Sequence, residues 1–169
     1  GDPMLGLTIA KEEDPSSYGL VAHVVLNSPT FRAGLENYIR LISIVNEAID
    51  LQFEQGPETS SIRFIHKSPE YYCTSDMERT LAINVSRSAR ALGTKVPVKR
   101  VSFQHPAPEY AEAYRDFFNC EVLFDQPYGE IVFDSKMLAV KPKSSNPHLG
   151  AATLDYANRI LSKLFKRRI

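Results

Sequence analysis

The sequence predicts an α+β fold, a single domain in which helices pack against a mainly antiparallel sheet. Three observations predict it. A capping side chain stands before proline at Ser28-Pro29, Ser68-Pro69 and Asn146-Pro147, each followed by apolar residues at helical spacing. Two pairs of strand-like segments flank turn sequences, as hairpins do. The regular strand–helix alternation that a doubly wound parallel sheet requires is missing. The 169 residues suit one core.

The first 27 residues are open to two readings. Residues 2–10 fit a short helix, and Leu20 to Leu26 is apolar enough for either a strand or a buried helix. A helix over about 29–47 follows, because Phe31, Leu35, Tyr38, Ile42 and Val45 form one stripe at steps of four, three, four and three. Ile49, Leu51 and Phe53 alternate with Asp50, Gln52 and Glu54, which marks a half-buried strand. Gly56-Pro57-Glu58-Thr59 turns it into Ser61–His66. A second helix is expected over 69–92, striped by Met77, Leu81, Val85, Ser88 and Leu92 and stopped by Gly93. A lone strand spans 98–104. A helix over 108–118 opens at Pro108 with Glu109 and Glu112 in its positive first turn. Residues 120–124 and 130–133 flank Gln126-Pro127-Tyr128-Gly129 and read as a second hairpin. The last helix covers 147–167, with Leu149, Tyr156, Ile160 and Leu164 on one face.

Twenty basic residues balance twenty acidic ones, so the domain as a whole has no electrostatic reason to bind nucleic acid or a membrane surface. No apolar run approaches the roughly 20 residues of a membrane span, and a cytoplasmic location is expected. Cys73 and Cys120 read as reduced, half-buried thiols, with one disulfide as the alternative.

A search for chemistry yields little. Gly93-Thr94-Lys95 lacks the earlier glycine of a phosphate loop and follows a helix instead of opening one. His23, His66, His105 and His148 are widely separated and form no metal-binding spacing. No catalytic residue, metal or cofactor is expected. Three residues stand out as candidate ligand contacts. His105 sits between a strand and a helix beside Pro106 and Pro108, where it fixes the turn, meets a ligand or, as the weakest reading, takes part in acid–base chemistry. Arg63 and Arg100 interrupt apolar strands. They are either surface residues or, if they point into a cavity, forks for an anion. Lys163, Lys166, Arg167 and Arg168 form a basic helix end that suits the helix dipole.

The segment from 103 to 134 is more specific. Phe103-Gln104-His105-Pro106-Ala107-Pro108 is followed by Tyr114-Arg115-Asp116-Phe117-Phe118-Asn119-Cys120, then by Val122-Leu123-Phe124 and Ile131-Val132-Phe133-Asp134. This pattern resembles the N-terminal effector domain of the arabinose-binding-like branch of AraC-family transcriptional regulators. Asn27-Ser28-Pro29-Thr30-Phe31 and Gly1-Asp2-Pro3 through Gly6-Leu7 resemble the branch's helix start and opening. Asn119 stands where glycine is usual, as a left-handed turn residue would. Gly129-Glu130 replaces a common asparagine and small residue. The resemblance implies a regulatory domain over 1–169 that senses a small-molecule effector, mediates homodimerisation, or does both. It further implies that DNA is bound only through a helix-turn-helix half absent from this sequence. A ligand-free dimerisation scaffold is the alternative, and a small enzyme a weaker one.

Overall fold

β1 (Ile49–Gln55) and β2 (Thr59–His66) form the expected hairpin, closed where the Gly56 amide donates to the Thr59 carbonyl at 2.9 Å. The coordinates are those of a computed structural model and describe residues 4–143 and 145–167. The hairpin register sets Leu51 opposite Phe64 and Phe53 opposite Ile62, which puts these apolar side chains on one face of the sheet. β3 (Val98–Ser102), β4 (Glu121–Leu123) and β5 (Gly129–Asp134) complete the strand order β1-β2-β5-β3-β4. Every pairing is antiparallel except β3 with β4.

That exception corrects the second hairpin. β4 and β5 are not partners, because β3 lies between them. The chain leaving β4 folds back onto the end of β3. The Phe103 amide donates to Leu123, and the Asp125 and Gln126 amides donate to the His105 and Phe103 carbonyls, all at 2.8–3.0 Å. Asp125 takes a left-handed φ of 53° to make the turn. β3 and β4 are therefore parallel, and α5 (Ala111–Phe118) is the crossover that parallel neighbours require.

The N-terminal ambiguity resolves into two helices, α1 (Leu5–Glu12) and α2 (Leu20–Leu26). α3 (Phe31–Val45) starts later than Ser28-Pro29 suggests. Thr30 is the cap, accepting from the Ala33 amide at 3.2 Å, while Ser28 donates to the Val24 carbonyl. Ser68-Pro69 opens only a 3-10 turn at Pro69–Tyr71. α4 (Thr74–Leu92) is a separate helix that stops at Gly93, at φ 65°. In α6 (Pro147–Arg167) the expected cap does form, since Asn146 Oδ1 accepts from the amides of His148 and Leu149 at 3.1 and 3.2 Å. Asn119 ends α5 at φ 51°, as its place in the pattern implies. Gly1-Asp2-Pro3, Arg168 and Ile169 lie outside the described residues.

α3, α4 and α5 contribute to one apolar core with the sheet, in which Phe64, Leu81, Val101, Phe103 and Tyr114 are fully buried. α1 crosses α4 at Gly6, where a Cβ would lie 3.0 Å from the Arg79 amide nitrogen. A second, smaller cluster joins α2, α3 and α6 through Val21, Val24, Leu41 and Ala157. Among the described residues no helix is long and apolar enough to cross a membrane. Both cysteines are free. Cys73 is exposed instead of half-buried, and a hydrogen bond from Ser75 lowers its pKa. Burial pushes Cys120 up to about 11.

Candidate functional site

Strand alternation sends Arg63 of β2, Glu130 of β5 and Arg100 of β3 to the face opposite the helical core. β5 lies between the two arginine-bearing strands, so Glu130 bridges them. Arg63 Nε donates to Glu130 Oε1 at 2.8 Å, and Arg100 Nη2 lies 3.2 Å from Glu130 Oε2. Arg63 also reaches Glu54 at 2.9 Å and covers the Tyr128 ring at 4.9 Å. The hydrogen bond to Glu130 raises the Arg63 pKa. The structure thus brings the two arginines together, but away from His105 and outside both cavities described below. Residue 130, where the sequence departs from the pattern it resembles, is the carboxylate that holds them.

His105 is buried in a polar node. Its Nε2 lies 3.1 Å from Glu78 Oε1 of α4, and its Nδ1 lies 2.9 Å from the Pro106 carbonyl. Burial works against a charged imidazole, but Glu78 and the Pro106 carbonyl outweigh it, and the pKa is raised. Burial and then Glu78 push Tyr72 up to about 12, and the same two causes raise Tyr114. Phe103 stacks on Phe124 at 5.8 Å and meets Tyr114 edge-on at 5.5 Å, so the most specific sequence segment closes this part of the core. A pocket of about 370 Å³ opens beside the node, lined by His66, Tyr72, Gln104 and His105 among others.

The better-built cavity lies elsewhere, between α2, α3 and α4 above the β1–β2 end of the sheet. It encloses about 430 Å³, a size ordinary for a small-molecule site. Its walls are mostly apolar, with Val21 and Val25 from α2, Leu35 and Ile42 from α3, and Ile49 and Phe64 from the sheet. Helical spacing places Thr80, Asn84 and Ser88 of α4 on one polar stripe facing them. Asn84 Nδ2 donates to the Tyr38 hydroxyl at 3.2 Å and to the Thr80 carbonyl at 2.8 Å. Half-buried Arg87 is, with Arg79, one of two cations lining the cavity among the described residues. Burial lowers its pKa, but the fork it makes on the Glu13 carboxylate raises it further, and Tyr18 stacks on it at 4.6 Å.

None of these polar residues stands out in the sequence. Ser88 reads there as part of the apolar stripe of α4, and Thr80 and Asn84 carry no assignment at all. Their one legible signal is uncharged polar residues every fourth position along a helix otherwise ready for burial.

Three comparisons bear on identity. A family model described as the arabinose-binding domain of AraC transcription regulators, N-terminal, matches residues 1–141. The ornithine utilization regulator of Pseudomonas aeruginosa is 22% identical over 151 residues, which cover 87% of this chain and 44% of that protein. The crystal structure of the transcriptional regulator CdpR from Pseudomonas aeruginosa superposes with a TM-score of 0.68 at 16% identity, over 89% of this chain and 50% of that one. The chain therefore spans about half the length of these relatives. The structural likeness supports the α+β fold, and the family match over most of the chain settles membership: this chain belongs to the family of N-terminal arabinose-binding-type domains of AraC transcription regulators.

Proposed function

We propose that this regulatory domain senses a small-molecule effector in the 430 Å³ cavity and passes its occupancy through α2 and α6 to an attached DNA-binding region. The observation that carries the reading is α2's double duty. Leu20, Val21 and Val25 line the cavity, while Val21 and Val24 pack against Ala157 of α6. A helix seven residues long with a ligand on one side and the output helix on the other cannot shift on one side alone. An effector acts here only if it binds one arrangement of α2 better than another. Lys163, Lys166 and Arg167, exposed at the end of α6, then mark the path toward the DNA-binding half.

The test is thermal unfolding with a panel of small molecules. A ligand for the folded domain raises the melting temperature with concentration, by about 2.7 kcal/mol of stability at a hundredfold excess over Kd. Ser88→Phe, which fills the cavity, is expected to abolish that shift. A shift that survives Ser88→Phe places the ligand elsewhere.

Homodimerisation is the second part of the proposal. Leu149 and Tyr156 are 47% and 58% exposed and lie seven residues apart on α6, on a different side from Leu154, Ala157 and Leu161. Sedimentation at micromolar concentration is expected to show a dimer that Tyr156→Glu converts to monomer. A wild-type monomer up to roughly 100 µM would leave dimerisation to other parts of the regulator.

A further inference from the structure

We infer that the effector is an uncharged molecule with an apolar body and one hydrogen-bonding head, which Tyr38, Thr80, Asn84 and Ser88 read. The inference rests on the cavity being the effector site, and it follows from which charges the cavity already holds.

Among the described residues no Asp or Glu lines the cavity. A cationic ligand, such as a basic amino acid, would bury an ammonium group with no carboxylate to meet it, and the lost hydration would go uncompensated. Two arginines do line it, yet each has a carboxylate already. Both Nε and Nη2 of Arg87 are committed to Glu13, whose side chain is only 10% exposed. An anion that drew Arg87 away would strand that carboxylate. Arg79 is held by Asp76 at 2.8 Å. With both cations matched, neither sign of ligand charge gains a net partner.

The uncharged groups are the ones left available. The Tyr38 oxygen accepts from Asn84, so its O–H remains to donate. Burial raises the Tyr38 pKa, which keeps that proton in place. Thr80 Oγ1, Asn84 Oδ1 and Ser88 Oγ make no hydrogen bond among the described residues. A head that both donates and accepts, such as an amide or a hydroxyl, satisfies this set. The apolar body then packs against Leu35, Ile42 and Phe64.

The test holds the tail constant and varies the head. Octanamide, octanoate and octylamine are titrated into the chain by calorimetry, with ornithine as a fourth probe. Octanamide is expected to bind at least about ten-fold tighter than the other three, the penalty of one poorly matched charge or head. Tyr38→Phe and Asn84→Leu are each expected to weaken octanamide by about 3- to 10-fold, the worth of one hydrogen bond. Octanoate, octylamine or ornithine binding as tightly as octanamide overturns the inference, as does octanamide that fails to bind. Ser88→Phe separates the two levels. If it blocks whichever probe binds, the cavity is the site and only the head was misassigned. If it blocks none of them, the cavity reading itself fails.

Discussion

Glu78→Ala is expected to remove about 3–5 kcal/mol of folding stability, because it leaves the His105 imidazole buried against Phe103 and Phe124 without its carboxylate. Glu78 is 1% exposed, lies between His105 and Tyr114, and acts on His105 more strongly than the neighbouring Asp125 does. Glu78→Gln tests the charge alone, since it keeps the volume. The folded-state pKa of His105 is raised from its ordinary 6.5. The charged imidazole therefore contributes stability that is full below about pH 6.5 and is lost as pH rises through the raised value. Denaturation midpoints of the wild type are expected to fall as pH climbs from 6.5 into the alkaline range. Glu78→Gln and His105→Gln are expected to flatten that slope. A wild-type slope of the opposite sign would mean that His105 is held neutral.

Gly150→Val is expected to uncouple α6 from the rest of the domain. A Cβ at Gly150 would lie 2.6 Å from the Asn27 carbonyl oxygen, a backbone atom that no rotamer change can move. Around this contact Asn146 donates its amide to Asn27 Oδ1 at 3.1 Å, and Ser145 Oγ donates to the Ser28 carbonyl at 2.9 Å. The start of α6 is thus fastened to the end of α2. Overpacking of this kind costs about 1–3 kcal/mol. The larger effect is expected in function. A full-length regulator carrying Gly150→Val should bind its effector within a few-fold of wild type and yet lose its transcriptional response. Ala157→Leu, at a fully buried position in the same interface, should do likewise. If both variants keep a normal response, the signal does not travel through α2 and α6.

The sequence is legible where structure is set locally. Asn146 caps α6, Gly93 stops α4, and the alternation in β1 and β2 fixes their hairpin. It misleads where a distant segment decides. Residues 120–134 have the apolar strands and turn of a hairpin, but the end of β3 takes the hydrogen bonds that β5 would have made with β4. Two of the three candidate contacts, Arg63 and Arg100, attract notice because they break apolar strands. Period-2 geometry sends them to the face away from the cavity, where Glu130 occupies both. His105 lies in the specific motif and is buried as the partner of Glu78, a residue 27 positions earlier on another element. The cavity is assembled from α2, α3, α4 and the sheet, and its polar stripe consists of ordinary helix-surface residue types. No single segment carries its signal.

The proposed sensing site is tested most directly by a crystal structure of the domain with a ligand found in the thermal screen. Ligand density is expected between α2, α3 and α4, within hydrogen-bond reach of Tyr38 or Asn84, with α2 displaced relative to α6. Density against Arg63 and Arg100 on the opposite sheet face, or in the pocket beside His105, would contradict it.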